Sequence, residues 1–162
     1  TIAVNFSGVQ LKDAKIVKRI LKILEEAKLP SSMLELEITE NVIMHETEVV
    51  SAFLGQLRRR GIRFSIDDFG TGYSSLSYLK RLPVDKLKID RSFVMDMPHD
   101  ENDNAITEAV IVLGHTLGLV VTAEGMENEK QLAILKSLGC NEGQGYLMSK
   151  PLPVAEFEQQ FI

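Results

Sequence analysis

Short stretches in which apolar and polar residues alternate with a period of two are separated by longer stretches with helical spacing. Residues 2–7 (IAVNFS) predict a strand. Val17, Ile20, Leu21 and Leu24 then recur at helical spacing, and Pro30 closes that segment. Residues 34–39 (LELEIT) predict a second strand, and a helix follows from about 46 to 60, ended by Gly61. A third strand is predicted at 62–67 (IRFSID), a Gly-containing loop at 70–75 and a short helix at 76–81. The fourth strand is 85–90 (DKLKID), followed by a helix over 103–117 with Gly118 as its stop. A fifth strand at 119–123, a helix at 128–138, a weak sixth strand at 141–146 and a final helix at 154–161 complete the series. Strand–helix units repeated in this way predict a parallel sheet with helices outside.

Side chains alternate across a strand, so each strand sorts into two faces. Val4 and Phe6, Leu36 and Ile38, Phe64 and Ile66, Leu87 and Ile89, and Val121 and Ala123 form apolar faces. The opposite faces carry Asn5, Glu35 and Glu37, Ser65 and Asp67, Lys86, Lys88 and Asp90, and Thr122 and Glu124. An open, doubly wound sheet would be apolar on both faces. A barrel explains the pattern better, because its strand C-termini converge on one mouth where barrel enzymes place their chemistry. The fold class expected is α/β, of (β/α)8 TIM-barrel type, here an incomplete barrel of about six strand–helix units.

That mouth would gather Asn5, Glu37, Asp67, Asp68, Lys88, Asp90, Glu124 and Gln144. The carboxylates and the amide oxygen form an all-oxygen donor set. It suits hard cations such as Mg²⁺ or Mn²⁺ and not zinc, which favours His and Cys. A pair of such ions would offset the mutual repulsion of the acids and could clamp an in-line phosphoryl displacement. The alternative is that these are solvated strand ends, and the alternative for Lys88 is a structural ion pair. The sequence GTG at 70–72 has no third glycine and no GKS/T ending, so neither the dinucleotide nor the P-loop pattern is met. His45, His99 and His115 do not fall at strand ends and read as surface or core residues. Met95, Met97, Met126 and Met148 read as packing residues.

Composition narrows the class. The 162 residues are 44% apolar, enough for one domain with a core. With 18 basic against 23 acidic residues, the net charge of −5 argues against a duplex nucleic-acid binder with a broad basic face. A small anionic ligand stays open. The single cysteine, Cys140, excludes an internal disulfide and fits a reducing compartment. A membrane span and a signal peptide are not predicted, so the expected location is cytoplasmic, with no membrane contact from this segment. Thr1 opens the chain in what reads as mid-strand, which suggests a piece of a longer protein.

The segments VNFS (4–7), EITE (37–40), DDFGTG (67–72), KID (88–90), EGME (124–127) and QGY (144–146) occur in the order of the EAL domain. The chain resembles that family of cyclic di-GMP phosphodiesterases over its whole length, most specifically through DDFGTGYSSL and KLKIDRSF. The resemblance implies hydrolysis of cyclic di-GMP to linear pGpG with a two-metal Mg²⁺ or Mn²⁺ site. By position, Asn5 and Glu37 are similar to first-metal ligands, and Asp67 to the ligand shared by both metals. Asp68 and Glu124 are similar to second-site ligands or their supports. Lys88 matches the lysine that orients the attacking water, and Glu127 and Gln144 match residues of the water and metal network. The resemblance thus puts catalysis on Lys88, Asp67 and Glu127, with Asp90 among the substrate-binding or loop-support positions. Glu40 matches the glutamate that anchors the loop Phe69–Ser75, which in this family couples the site to a homodimer. A sensor or GGDEF domain often precedes the EAL domain, and the parent protein is sometimes membrane-anchored.

The chain departs from the family in one respect. The Glu-Ala-Leu motif, whose glutamate is a first-metal ligand, belongs upstream of Thr1, together with two leading strands. A complete barrel has eight strands, and six would leave a partly apolar sheet edge exposed. A longer parent, a second chain covering the edge, and an inactive natural truncation each accommodate this, and the first is favoured. Residues 1–162 are therefore expected to be an EAL domain lacking its N-terminal part. One rival function is a non-catalytic cyclic di-GMP receptor. Another is a Schiff-base lyase using Lys88, which would need a depressed lysine pKa where the carboxylate neighbours raise it. A purely structural scaffold would leave the polar strand ends unexplained.

Overall fold

A computed structural model describes residues 1–45, 47–72, 75–97 and 99–162. Their parallel strands are β1 (Ile2–Asn5), β2 (Leu34–Thr39), β3 (Arg63–Phe69), β4 (Lys86–Ile89), β5 (Val120–Ala123) and β6 (Glu142–Gly143). The order in the sheet is the order in the chain. A parallel sheet in sequential order has its crossovers on one face, because βαβ connections share one hand. The result is a curled half-barrel with helices outside and the polar strand faces inside, as the alternation predicts.

The helices are α1 (Gly8–Leu11), α2 (Ile16–Glu26), α3 (Glu40–His45), α4 (Thr47–Arg58), α5 (Leu76–Leu79), α6 (Arg91–Met95), α7 (Glu101–Thr116), α8 (Glu129–Ser137) and α9 (Val154–Phe161). Three of these differ from the pattern-based expectation. The strand predicted to reach Ser7 stops at Asn5, because Ser7 caps α1 in a capping box with Gln10. The helices α3 and α6 begin directly at the ends of β2 and β4, and each is too short to show helical periodicity. Asp90 starts α6 as its N-cap, accepting the Ser92 N–H at 2.9 Å. The weak sixth strand shrinks to two residues. Residue 46, where a helix was expected to begin, and Tyr73 and Ser74 of the 69–75 loop lie outside the described residues.

The core lies between the outer faces of the strands and the helices. Phe64, Ile66, Leu87 and Ile89 of the sheet and Leu54 and Leu57 of α4 belong to one cluster, all fully buried. Phe53 stacks on Phe6 and meets Phe64 edge-on, with ring centroids 5.0 and 6.2 Å apart. Covering fails at the margins. Val4 on β1 is 43% exposed, and a groove of about 560 Å³ lined by Ile2, Val4, Ile20 and Ile23 runs between β1 and α2. At the other margin, Val154, Phe157 and Phe161 of α9 are also exposed. Met97 and Met126 pack in the core as expected, whereas Met95 and Met148 are exposed. No helix among the described residues is long and apolar enough to cross a membrane.

Phe64→Ala removes a fully buried ring and should cost about 3–5 kcal/mol. Urea denaturation should show a lower midpoint at unchanged slope.

Candidate active site at the strand ends

Period-two alternation points Lys88 of β4 into the curl of the sheet, where it is only 4% exposed. Its Nζ lies 2.8 Å from Glu37 Oε1, 3.0 Å from Asp67 Oδ1 and 2.6 Å from Glu124 Oε1. One ammonium thus ties the ends of β2, β3 and β5 to β4. Burial is the largest single influence on Lys88 and works to lower its pKa. Its close contacts with the Glu124, Glu37 and Asp67 carboxylates outweigh it, and the amine is held well above the ordinary lysine range. Glu124 is pushed above the usual carboxylate range by burial, in spite of Lys88. A Schiff-base role for Lys88, which needs a neutral amine, is opposed by this geometry.

The end of β3 contains an irregularity that the alternation pattern does not reveal. Ile66 pairs with Leu87 but Phe69 with Ile89, so β3 holds one extra residue. Asp68 takes up the distortion with φ +54°, a left-handed conformation that aspartate tolerates better than most residues. Two consecutive carboxylates, which a regular strand would send to opposite faces, thereby share one mouth. Oxygens of Asp67, Asp68 and Glu124 lie within 4.8 Å of one another. The contact of Asp67 Oδ1 with Lys88 lacks hydrogen-bond geometry, so this buried oxygen has lone pairs to spare. An all-oxygen trio with an unsatisfied carboxylate oxygen fits a hard divalent cation. Burial, then the charges of Asp67 and Asp90, push Asp68 up. Burial also acts to raise Asp90, but the hydroxyl and N–H of Ser92 and the Arg91 N–H bring it below its usual value.

Glu40, at the start of α3, is buried and reaches the loop after Asp68. Its Oε2 accepts the N–H groups of Gly70 at 2.9 Å and Gly72 at 3.3 Å. Gly70 sits at φ +101°, where L side chains are strained. Gly72 does not share that conformation. It is needed for close approach, because a Cβ there would come 3.1 Å from the Glu40 carboxyl.

The remaining sequence-predicted residues stand further from the ammonium. Asn5 is paired in register with Glu37 at the end of β1. Glu127 and Gln144 are exposed and line a cavity of about 280 Å³ with Glu124, Arg91 and Tyr146. Gln131, which drew no attention in the sequence, holds the Glu127 segment in place. Its Oε1 accepts the N–H groups of Glu127 at 2.7 Å and Asn128 at 3.0 Å. Its Nε2 donates to the carbonyls of Val94 and Met95, both at 3.0 Å. The signal available was a glutamine three residues after the capping Asn128. His45, His99 and His115 are exposed and away from the carboxylates; His115 Nε2 bonds Asn141 Oδ1 at 3.1 Å.

Comparison with known proteins places this geometry in a family. The sequence matches the EAL domain over residues 1–151, and the chain belongs to that family. It is 47% identical over 158 residues to the cyclic di-GMP phosphodiesterase NbdA of Pseudomonas aeruginosa, covering 98% of this chain and 20% of NbdA. It is 46% identical over 155 residues to the bifunctional diguanylate cyclase/cyclic di-GMP phosphodiesterase MucR of the same species, covering 96% and 23% of the two chains. The solved c-di-GMP complex of the PaMucR phosphodiesterase superposes with TM-score 0.94 at 46% identity, over 97% of this chain and 64% of that one. The manganese/cy-diGMP complex of BlrP1 from Klebsiella pneumoniae gives TM-score 0.85 at 33% identity, over 92% and 38%. The chain thus spans about a fifth of the length of these curated relatives.

Lys88→Met leaves Glu37, Asp67 and Glu124 without their shared cation and should cost about 3–5 kcal/mol at pH 7 with chelator present. The deficit should shrink as pH falls toward 5. A folded-state carboxyl with a raised pKa binds its proton more tightly than the unfolded chain does, so its ionisation penalty disappears on acidification. Lys88 in the parent chain has the complementary profile: its stabilisation is complete below the unfolded lysine pKa and is lost as pH climbs through the raised folded value. Denaturation midpoints across pH 5–8 for both proteins check the first statement.

Proposed function

We propose that this chain is the catalytic portion of a longer phosphodiesterase that hydrolyses cyclic di-GMP to linear pGpG. The observation that carries the reading is one buried ammonium within 3.0 Å of three carboxylates, two of which belong to the cation-competent trio. Relatives named as cyclic di-GMP phosphodiesterases, and c-di-GMP complexes among the solved neighbours, support the substrate.

Asp67, Asp68 and Glu124, with Glu37 and Asn5 beside them, would hold Mg²⁺ or Mn²⁺. Bound there, such ions supply Lewis-acid polarisation of the phosphodiester and offset its charge. Lys88 donates a hydrogen bond that orients the attacking water and stabilises charge developing on phosphate oxygen. The water oxygen bonds to phosphorus as the P–O3′ bond breaks. A water proton leaves to a mouth carboxylate, and the 3′ oxygen takes a proton from solvent as it departs. Glu127 and Gln144 bound the adjoining cavity and order water beside Glu124. Glu40 keeps the loop that follows Asp68 in the shape that presents both aspartates. In the longer protein an upstream sensor or GGDEF domain would regulate the site, a reading supported by the bifunctional MucR.

A second reading is a receptor that binds cyclic di-GMP without turnover. The c-di-GMP complexes among the solved neighbours support binding for this reading as well.

Incubation with cyclic di-GMP and Mn²⁺, followed by chromatography, separates the two. Metal-dependent pGpG is expected, with Glu37→Ala and Lys88→Ala each reducing the rate by about 10²-fold or more. Saturable binding with no product would establish the receptor instead.

A further inference from the structure

A second tier of charge lies one step below the mouth, and the reaction above does not use it. On β4, Lys86 shares the inner face with Lys88; on β2, Glu35 shares it with Glu37. Lys86 Nζ lies 3.2 Å from Glu35 Oε2 and 2.8 Å from Glu142 Oε2. Glu142 Oε2 also accepts the Thr122 hydroxyl at 2.9 Å. Glu35 is buried, with only 4% of its surface exposed.

The strands so joined are not neighbours. In the sheet, β3 lies between β2 and β4, and β5 lies between β4 and β6. Each Lys86 contact therefore spans an intervening strand, like a chord across an arc. Such a chord closes only if the sheet is curled. Ser65 of β3, paired in register with both Glu37 and Lys86, is 1% exposed, and its short side chain leaves room for the crossing. The upper tier has the same form, with Lys88 reaching Glu37 across β3.

We propose that Lys86 is a positioning residue whose chords to Glu35 and Glu142 set the curl of β2–β6, so that Glu37, Asp67 and Glu124 converge on Lys88, and Asp67, Asp68 and Glu124 stand close enough to share a divalent cation. The cation part rests on the reading of those carboxylates as metal ligands; the convergence on Lys88 does not.

The test uses Lys86→Met, which keeps the aliphatic stem without the charge, and Lys86→Arg, which keeps the charge. Lys86→Met/Glu35→Gln also avoids leaving a buried carboxylate unpaired. Two readouts are taken on each folded protein: Mn²⁺ affinity by calorimetry, and acetylation of Lys88 by acetic anhydride at one fixed pH, quantified by mass spectrometry. Lys86→Met and the double variant should bind Mn²⁺ roughly 10- to 100-fold more weakly, the range seen when groups orienting metal ligands are lost. Lys88 labelling should rise about tenfold as its enclosure opens locally. Lys86→Arg should restore both. Wild-type labelling of Lys88 in the folded Lys86→Met and double variants would overturn the proposal. So would loss of folding in both variants while Lys86→Arg folds, because Lys86 would then support the fold and not the site. If wild-type protein binds no Mn²⁺, the metal reading falls, and the labelling still decides the role of Lys86.

Discussion

Carboxylates crowded into a half-buried mouth repel one another, and the rest of the site follows from how that repulsion is met. Two like charges about 4 Å apart repel by about 4 kcal/mol at the effective dielectric of a protein surface. Glu37, Asp67 and Glu124 are held against this by a single ammonium, and the acids remain in excess. Burial first, and then the charges of Asp67 and Glu37, raise the pKa of Glu124 in spite of Lys88. A group of this kind is poorly suited to stand alone and well suited to take up divalent cations, which is the chemistry that phosphodiester hydrolysis calls for.

The backbone is arranged to bring these acids together. Sequential parallel strands put the buried apolar residues of the sheet against the helices and leave the inner face free for charge. The extra residue in β3 turns Asp68 to the same mouth as Asp67. Glu40 then ties down the following loop through two backbone N–H groups, and Gln131 does the same for the segment carrying Glu127. Each of these residues spends its polar groups on backbone next to a carboxylate, so the mouth is supported by neighbours that do not themselves touch its centre.

Much of this could be read in the amino-acid sequence, for a simple reason. A barrel writes its layers directly as period-two alternation, so the sequence alone assigns Glu37, Asp67, Lys88 and Glu124 to a common face. What escaped has physical causes too. The bulge at Asp68 changes register by one residue and leaves no mark on hydropathy. The helices α3 and α6 are shorter than two turns and follow strands without a break, so periodicity cannot detect them. Lys86 and Glu35 were visible on the inner face, but their contact spans a strand that does not enter any local pattern. Gln131 looked like an ordinary helix residue because its partners are backbone atoms on α6 and in the loop after β5.

The central claim is that the mouth is a divalent-cation site built from these carboxylates. Anomalous diffraction at the manganese edge, from crystals of this chain grown with Mn²⁺, addresses it without reference to turnover. The account predicts an anomalous peak in contact with Asp67, Asp68 and Glu124 that is absent from crystals of Asp67→Asn. Crystals that bind manganese elsewhere, or show no peak between these three residues at saturating Mn²⁺, would contradict it.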